Sequence, residues 1–558
     1  MRKTKNFSKR TTKPNKNAIK ALSVATIAGL AMIGAASPAC AEVDNRIIID
    51  TIDQTVTGDY SNRINNNDWH ADDWSSGWYD EWNVEGGVVK NTSQNLTIKD
   101  STFDSNTLNV HNPNIVGDDS DPKWMSANGG IIGNTTGSSI KLIDNVTFSN
   151  NITNATYGPQ FVKGGVIGNS GTIESITNTK FTGNTSSASY QAMGGAIFNA
   201  DTGVIDKISK SEFIGNKSGS GGAIYNDGTI TTISESEIGN NQASSGSAIY
   251  NTGHIGTIDN TNIHDNTGSE SILNRGNIDL ISNSKITGSS STGINSIKAD
   301  SSDTAHIGRI VNTEISNNKG YGINSFKSDI DELDGVIIKD NANSGIRLAG
   351  SGESHKIGSI KNSLFENNGR TGHNSALCLD VDSSLGDVSD TKFISNYGSS
   401  GGAISVNNRG YSGISASIGN FTNVLFENNE SSYTGGAIVF DSGDSSPLTV
   451  GKFKDITFKD NKAGQNAGAL AVNGGVTLDD IENVKFEGNT AKGVGGAICL
   501  VDGRNTKFGN FTNVSFKNNE AASGSAISAM AGGIFKDWKK VYFVDNKVTG
   551  NGGAGGVV

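Results

Sequence analysis

Gly221-Gly-Ala-Ile-Tyr-Asn226, the turn Asp227-Gly228, Ile230-Thr-Thr-Ile233 and Ser236-Glu-Ile238 running on to Asn241 make up one unit of a repeat. It reads as three short strands of three to five residues with Gly, Asn and Ser at the corners. That is strand-and-corner chemistry, and nothing in it sustains a 3.6-residue period. Working outward, the fourth position of Gly-Gly-Ala-Ile recurs as Val89, Ile132, Ile167, Ile197, Ile224, Ile249, Ile272, Ile294, Ile323, Ile346, Leu377, Ile404, Ile438, Leu470, Ile498 and Ile527. A second signature, an aromatic or aliphatic residue with Asn three positions later, keeps step with it from Phe103–Asn106 to Phe543–Asn546, and only the Ile286 copy departs, with Ser289. A unit this small cannot bury its own apolar face, so neighbours must stack. The spacing predicts an all-β chain: a parallel β-helix, a solenoid of about 16 rungs at about 4.8 Å each.

Composition agrees. Of 558 residues 72 are Gly and only 6 Pro, with 34% hydrophobic and 18% charged. This is neither collagen nor a charge-rich disordered chain. The position two after each anchor shares its strand face. There the sequence reads Asn91, Asn134, Asn169, Asn199, Asn226, Asn251 and Asn274, then apolar residues from Leu348 onward. We read an internal amide ladder that gives way to an apolar stack.

The first 41 residues read as an export signal. Eight basic residues and no acid fill Met1–Lys20, an uncharged run covers Ala21–Ala36, and Ala39-Cys40-Ala41 supplies a cleavage site. With the whole chain at −11, removal of those eight charges leaves −11 − 8 = −19, which disfavours nucleic acid and anionic membranes. Cys378 and Cys499 remain, 121 residues apart and four rungs apart. Bridged Cα atoms must lie within about 7 Å, so free thiols are expected.

Repeated Gly-Gly-Ala-Ile paired with Phe-x-x-Asn over about residues 86–558 resembles the chlamydial polymorphic outer-membrane proteins and similar bacterial autotransporter passengers. The resemblance implies that the β-helix is right-handed and single-stranded, and that the chain is an exported, cell-surface passenger of a Gram-negative-type bacterium, sent to the outer membrane, adhesin-like, with a host or bacterial surface protein or glycan as partner. Two departures stand out: rungs Ile272 to Ile346 lose Gly-Gly-Ala, and Phe becomes Ile in the partner motif from Ile238 to Ile338. The family's C-terminal membrane barrel does not lie within these residues, and it is expected beyond them. Gly555-Gly-Val-Val558 repeats Gly86-Gly-Val-Val89, which reads as the start of a seventeenth rung.

Domain organisation follows: signal 1–41, an N-terminal cap over 42–85, and the β-helix over 86–558. In the cap, Trp74, Trp78 and Trp82 are spaced to share one helix face, as an aromatic plug or a ring platform. Position +1 after the anchor is expected to face outward, where Phe198, Tyr225 and Tyr250 would form a stacked stripe open to a ligand. The competing reading is a β-helix polysaccharide lyase or glycoside hydrolase. It would need acids gathered at one groove, and the extra length at 90–131 and near 405–432 is where a groove would lie. The densest acids are Asp380, Asp382, Asp387 and Asp390, with Asp441 and Asp444, and they read as solvated loop charge. The histidines show no metal-ligand spacing. No catalytic residue, metal or cofactor is expected.

Overall fold

The computed structural model describes residues 47–68, 82–111, 125–156, 160–299, 303–350, 352, 355–372, 374–409, 416–443, 446–502, 505–530 and 532–550. The expected signal, together with Trp74 and Trp78, lies outside them. Residues Asp44–Val558 form one unit. Every pairing between its named strands is parallel and joins one coil to the next. Strand Ile224–Asn226 pairs with Ile197–Asn199 before it and Ile249–Asn251 after it, in register Ile197↔Ile224↔Ile249. All sixteen anchors fall in one 17-stranded sheet. The second and third strands of each coil form a second sheet of 35 short strands. The result is a right-handed parallel β-helix, the hand that parallel crossovers adopt.

The core is one continuous stack. Every anchor from Val89 to Ile527 is at most 1% exposed, and the Phe or Ile of the second signature lies beside it. Rings pile on rings: Phe103–Phe148–Phe181 at 5.0 Å steps, and Phe426–Phe458–Phe486–Phe516 at 4.8–4.9 Å. These distances are the coil spacing itself.

Two amide ladders tie the coils together, the first over Asn91–Ser328 and the second over Asn106–Asn546 with one break at Ser289. In the first, each Asn donates Nδ2 to the next coil's Oδ1, from Asn91→Asn134 at 2.7 Å to Asn251→Asn274 at 2.8 Å. It continues through Ser296 and Ser328 before Leu348 and Leu379 replace it inside the core. The second is the Asn of Phe-x-x-Asn. Asn216 donates to Asn241 at 3.0 Å and to the Phe181 carbonyl at 2.8 Å. Each coil also carries two left-handed corner residues five positions apart, such as Glu235 and Asn240, Asn260 and Asp265, or Asn423 and Asn428. Asn, Asp and Gly dominate there because they tolerate that conformation best.

Four differences from expectation have physical causes. First, the described residues of the 42–85 segment form strands: Ile47–Ile49, Thr55–Asp59, Ile64–Asp68 and Trp82–Glu85 stack in register on the following coil. Second, Trp82 therefore opens a strand paired with Met125, not the last turn of a helix. At Trp82 backbone pairing outweighs the four-residue spacing. Third, the extra length at 90–131 is strand as well as loop. Thr107–His111 and Met125–Asn128 belong to two four-stranded side sheets confined to the first coils. These sheets have a small core of their own, Leu108, Val110, Ala127, Ala155, Val162 and Ala192. Fourth, the loss of Gly-Gly-Ala in the middle coils is a change of corner length. Asn216 to Ile224 takes eight positions, whereas Asn318 to Ile323 and Asn341 to Ile346 take five. The shorter corner has no bend for a glycine pair to make.

Candidate functional site

The expected aromatic stripe exists, but its setting differs. Phe198, Tyr225, Tyr250 and Leu273 sit in register on successive coils. Ring centroids are 5.5 Å apart for Phe198–Tyr225 and 4.6 Å for Tyr225–Tyr250. They do point away from the main core. Yet Phe198 is 5% and Tyr225 7% exposed, packed with Met193 and flanked by Phe161, Ala200 and Tyr250. The Gly-Gly bend is the cause. Gly221 sits at φ +64°, so close that a Cβ there would lie 2.9 Å from the Tyr225 Cβ. The bend folds the chain back over the outer face and makes a second, minor core. Burial pushes the Tyr225 phenol pKa up. Because the rings stack on one another, their faces are already used.

What remains reachable is the margin of this cluster. Tyr250 is half-buried, with its hydroxyl accepting from Arg275 Nη1 at 3.4 Å. Arg275 is held in turn by Asp303 at 2.9 Å. In the bend between side-sheet strands Thr185–Ala188 and Gln191–Met193, Tyr190 is 62% exposed and meets Phe161 edge-on at 5.2 Å. The Lys163 ammonium lies 5.8 Å from the Phe161 ring and 6.0 Å from the Phe198 ring. Tyr190, Phe161, Lys163, Tyr250 and Arg275 therefore form an aromatic and cationic border around the buried rings. Sequence reasoning found Tyr250 and missed the others. The one available signal was that Tyr190 sits within the extra length before a Gly-Gly pair.

The acids singled out in the sequence hold coils together. Asp380 accepts from Arg347 at 2.8 Å, Asp387 from Asn420 at 2.8 Å, and Asp390 from Asn423 at 2.7 Å. Asp441 pairs with Arg409 at 2.6 Å. Asp382 is buried, not solvated: it is 1% exposed, has φ +64° and accepts from the Gly352 amide. Asp444 lies outside the described residues. A shallow polar hollow on the third-strand face is lined by Asn262, His264, Asp265, Lys285, Thr287 and Glu314, among others. In it His264 bridges Glu237 and Asp265, each at 2.9 Å. Among the described residues no group of three His, Cys, Asp or Glu is placed to hold a metal ion.

Both cysteines are free, and burial pushes the thiol of each up to about 12. Asp380 adds to the effect at Cys378.

Comparison with known families adds the class. The chain carries the Chlamydia polymorphic membrane protein repeat at residues 210–227, 423–441 and 483–500. Each match begins at a left-handed corner residue (Lys210, Asn423 or Asn483) and ends in the anchor strand of the next coil or one residue past it. The family's repeat is thus a third strand, a ladder Asn, a Gly-Gly bend and the next first strand: the joint between two coils. Such repeats support a surface-exposed passenger of autotransporter type. No curated protein matches the chain.

Proposed function

We propose that this chain is an exported bacterial passenger that works as an adhesin, binding a surface protein or glycan of a host or bacterial cell through the side of its coil stack. The observation that carries the reading is the set of three matched repeats, seated in a coil stack that continues in register on both sides of each. The border of Tyr190, Phe161, Lys163, Tyr250 and Arg275 is the contact surface we favour. Aromatic and Arg side chains concentrate binding energy at interfaces. The stack behind them is held by ladders and so keeps them fixed. Binding fits better than catalysis, because the acids Asp380, Asp382, Asp387, Asp390 and Asp441 are each engaged in holding turns or cations.

The test is display of the chain on a non-adherent bacterium, followed by counting bacteria bound to cultured epithelial cells and to other bacteria. The adhesin reading expects binding above the undisplayed control that soluble chain competes away. No gain over the control on any surface sinks it.

A further inference from the structure

The middle coils differ from the rest in corner length, in an Ile-only second signature, and in where the histidines fall. His254 meets Asp279 at 2.8 Å, His264 meets Glu237 and Asp265 at 2.9 Å, and His306 meets Asp331 at 3.1 Å. His355 lies 3.7 Å from Asp329. In all four cases the carboxylate, or one of two, comes from a neighbouring coil. We propose that residues 254–361 form an acid-reinforced segment of the stack, in which histidine–carboxylate pairs tie successive coils together and His264, clamped between two carboxylates, carries the acid response.

His264 carries the geometry furthest. Its Nδ1 faces Asp265 and its Nε2 faces Glu237. A neutral imidazole can donate from one nitrogen only, whereas the imidazolium donates from both. Its side chain is 19% exposed. The other charged groups in the hollow are Lys285 and Glu314, the latter paired with Lys339 at 3.2 Å. Burial alone would lower the His264 pKa, but the two carboxylates outweigh it and the net direction is up. Beside it, Thr229, His254, Asn277, His306 and Asp329 form one cross-coil column. His355 faces Asp329, lies in register with Ser383 and is followed by Lys356.

Glu270 acts in the same sense. It is 4% exposed, accepts from the Gly246 amide at 2.9 Å, and burial pushes its pKa up. A group whose folded pKa is raised contributes stability that is present below its unfolded value and is lost as pH rises through the folded one. For His264 that places the gain below about 6.5, and for Glu270 below about 4.3, with the loss above. Four carboxylates oppose it. Asp259 is lowered by Ser282 and Asn283, and Glu332 by Lys361 and Arg309. Burial would raise Glu314 and Asp329, but Ser316 and Lys339 overcome it at the first, and His355 and Lys356 at the second. The stability they add is lost only as pH falls below about 4. Mild acid, from about pH 4.5 to 6.5, is therefore where the segment is firmest.

Hydrogen exchange on the full chain at pH 5.5 and 7.5, corrected for intrinsic rates, tests this. The histidine-free coils at 421–521 serve as the internal reference. Protection of 254–361 relative to that reference should rise several-fold at pH 5.5. The His264→Gln/His306→Gln variant should lose most of that rise, and Glu237→Gln part of it, whatever either does to protection at pH 7.5. An equal ratio at both pH values, or a rise that survives in the double variant, overturns the proposal.

Discussion

Asn216 makes four hydrogen bonds from one fully buried amide. It gives two, to the Phe181 carbonyl and to Asn241, and accepts two, from the Asn184 side chain and the Asn184 backbone amide. Asn216→Ala leaves those partners unsatisfied in the interior and should cost about 3 kcal/mol or more locally. Hydrogen exchange over residues 180–245 would register it, and unchanged protection there would contradict the ladder. Ser289 is the one natural break. Its hydroxyl turns to the Thr292 carbonyl, and its amide still donates to Asn318. The next coils reach their anchors over the same five-position corner with Asn in place, so Ser289→Asn should fit. It should stabilise the middle by about 1 kcal/mol, seen as slower exchange over 262–320; faster exchange would mean that the corner cannot hold the amide.

At the scale of the element, the Gly-Gly bend decides most. Gly435 sits at φ +66°, and a Cβ on Gly436 would lie 2.1 Å from the Gly468 carbonyl oxygen of the next coil. Gly436→Ala should therefore cost about 3 kcal/mol by forcing two coils apart. Gly475→Ala, whose nearest neighbour is 3.9 Å away, should stay within about 0.5 kcal/mol. Equal melting temperatures for the two variants would show that the bend is not close-packed. This bend also marks where the sequence stops being legible. Alternation correctly put Phe198 and Tyr225 on the face opposite Ile197 and Ile224. It could not tell that the bend folds back over that face, because such cover comes from the chain's path and not from the strand. The anchors and both Asn columns were legible because each repeats identical chemistry at the coil period. Tyr190, Phe161 and Lys163 were not, since each occurs once, on or beside strands present only in the first coils.

At the scale of the molecule, each coil touches only its neighbours, so local damage should remain local. Cys499 reports on this directly. It is fully buried with Val439, Ala467 and Ala471, and burial pushes its thiol up to about 12. It should resist a thiol reagent in the native chain and react once Gly436→Ala loosens the coils beside it, while Asn216→Ala leaves it protected. Equal labelling in all three proteins would mean that the stack does not divide into nearest-neighbour steps. The central claim is that this regular stack displays a binding border, and one measurement meets it most directly. Tyr190→Ser/Tyr250→Ser/Arg275→Ser, displayed beside the unaltered chain at equal surface density and with the same β-sheet circular dichroism, is compared for adherence to cells. A contact role for this border predicts at least a tenfold loss of bound bacteria, about 1.4 kcal/mol of contact energy; adherence equal to that of the unaltered chain would rule that role out.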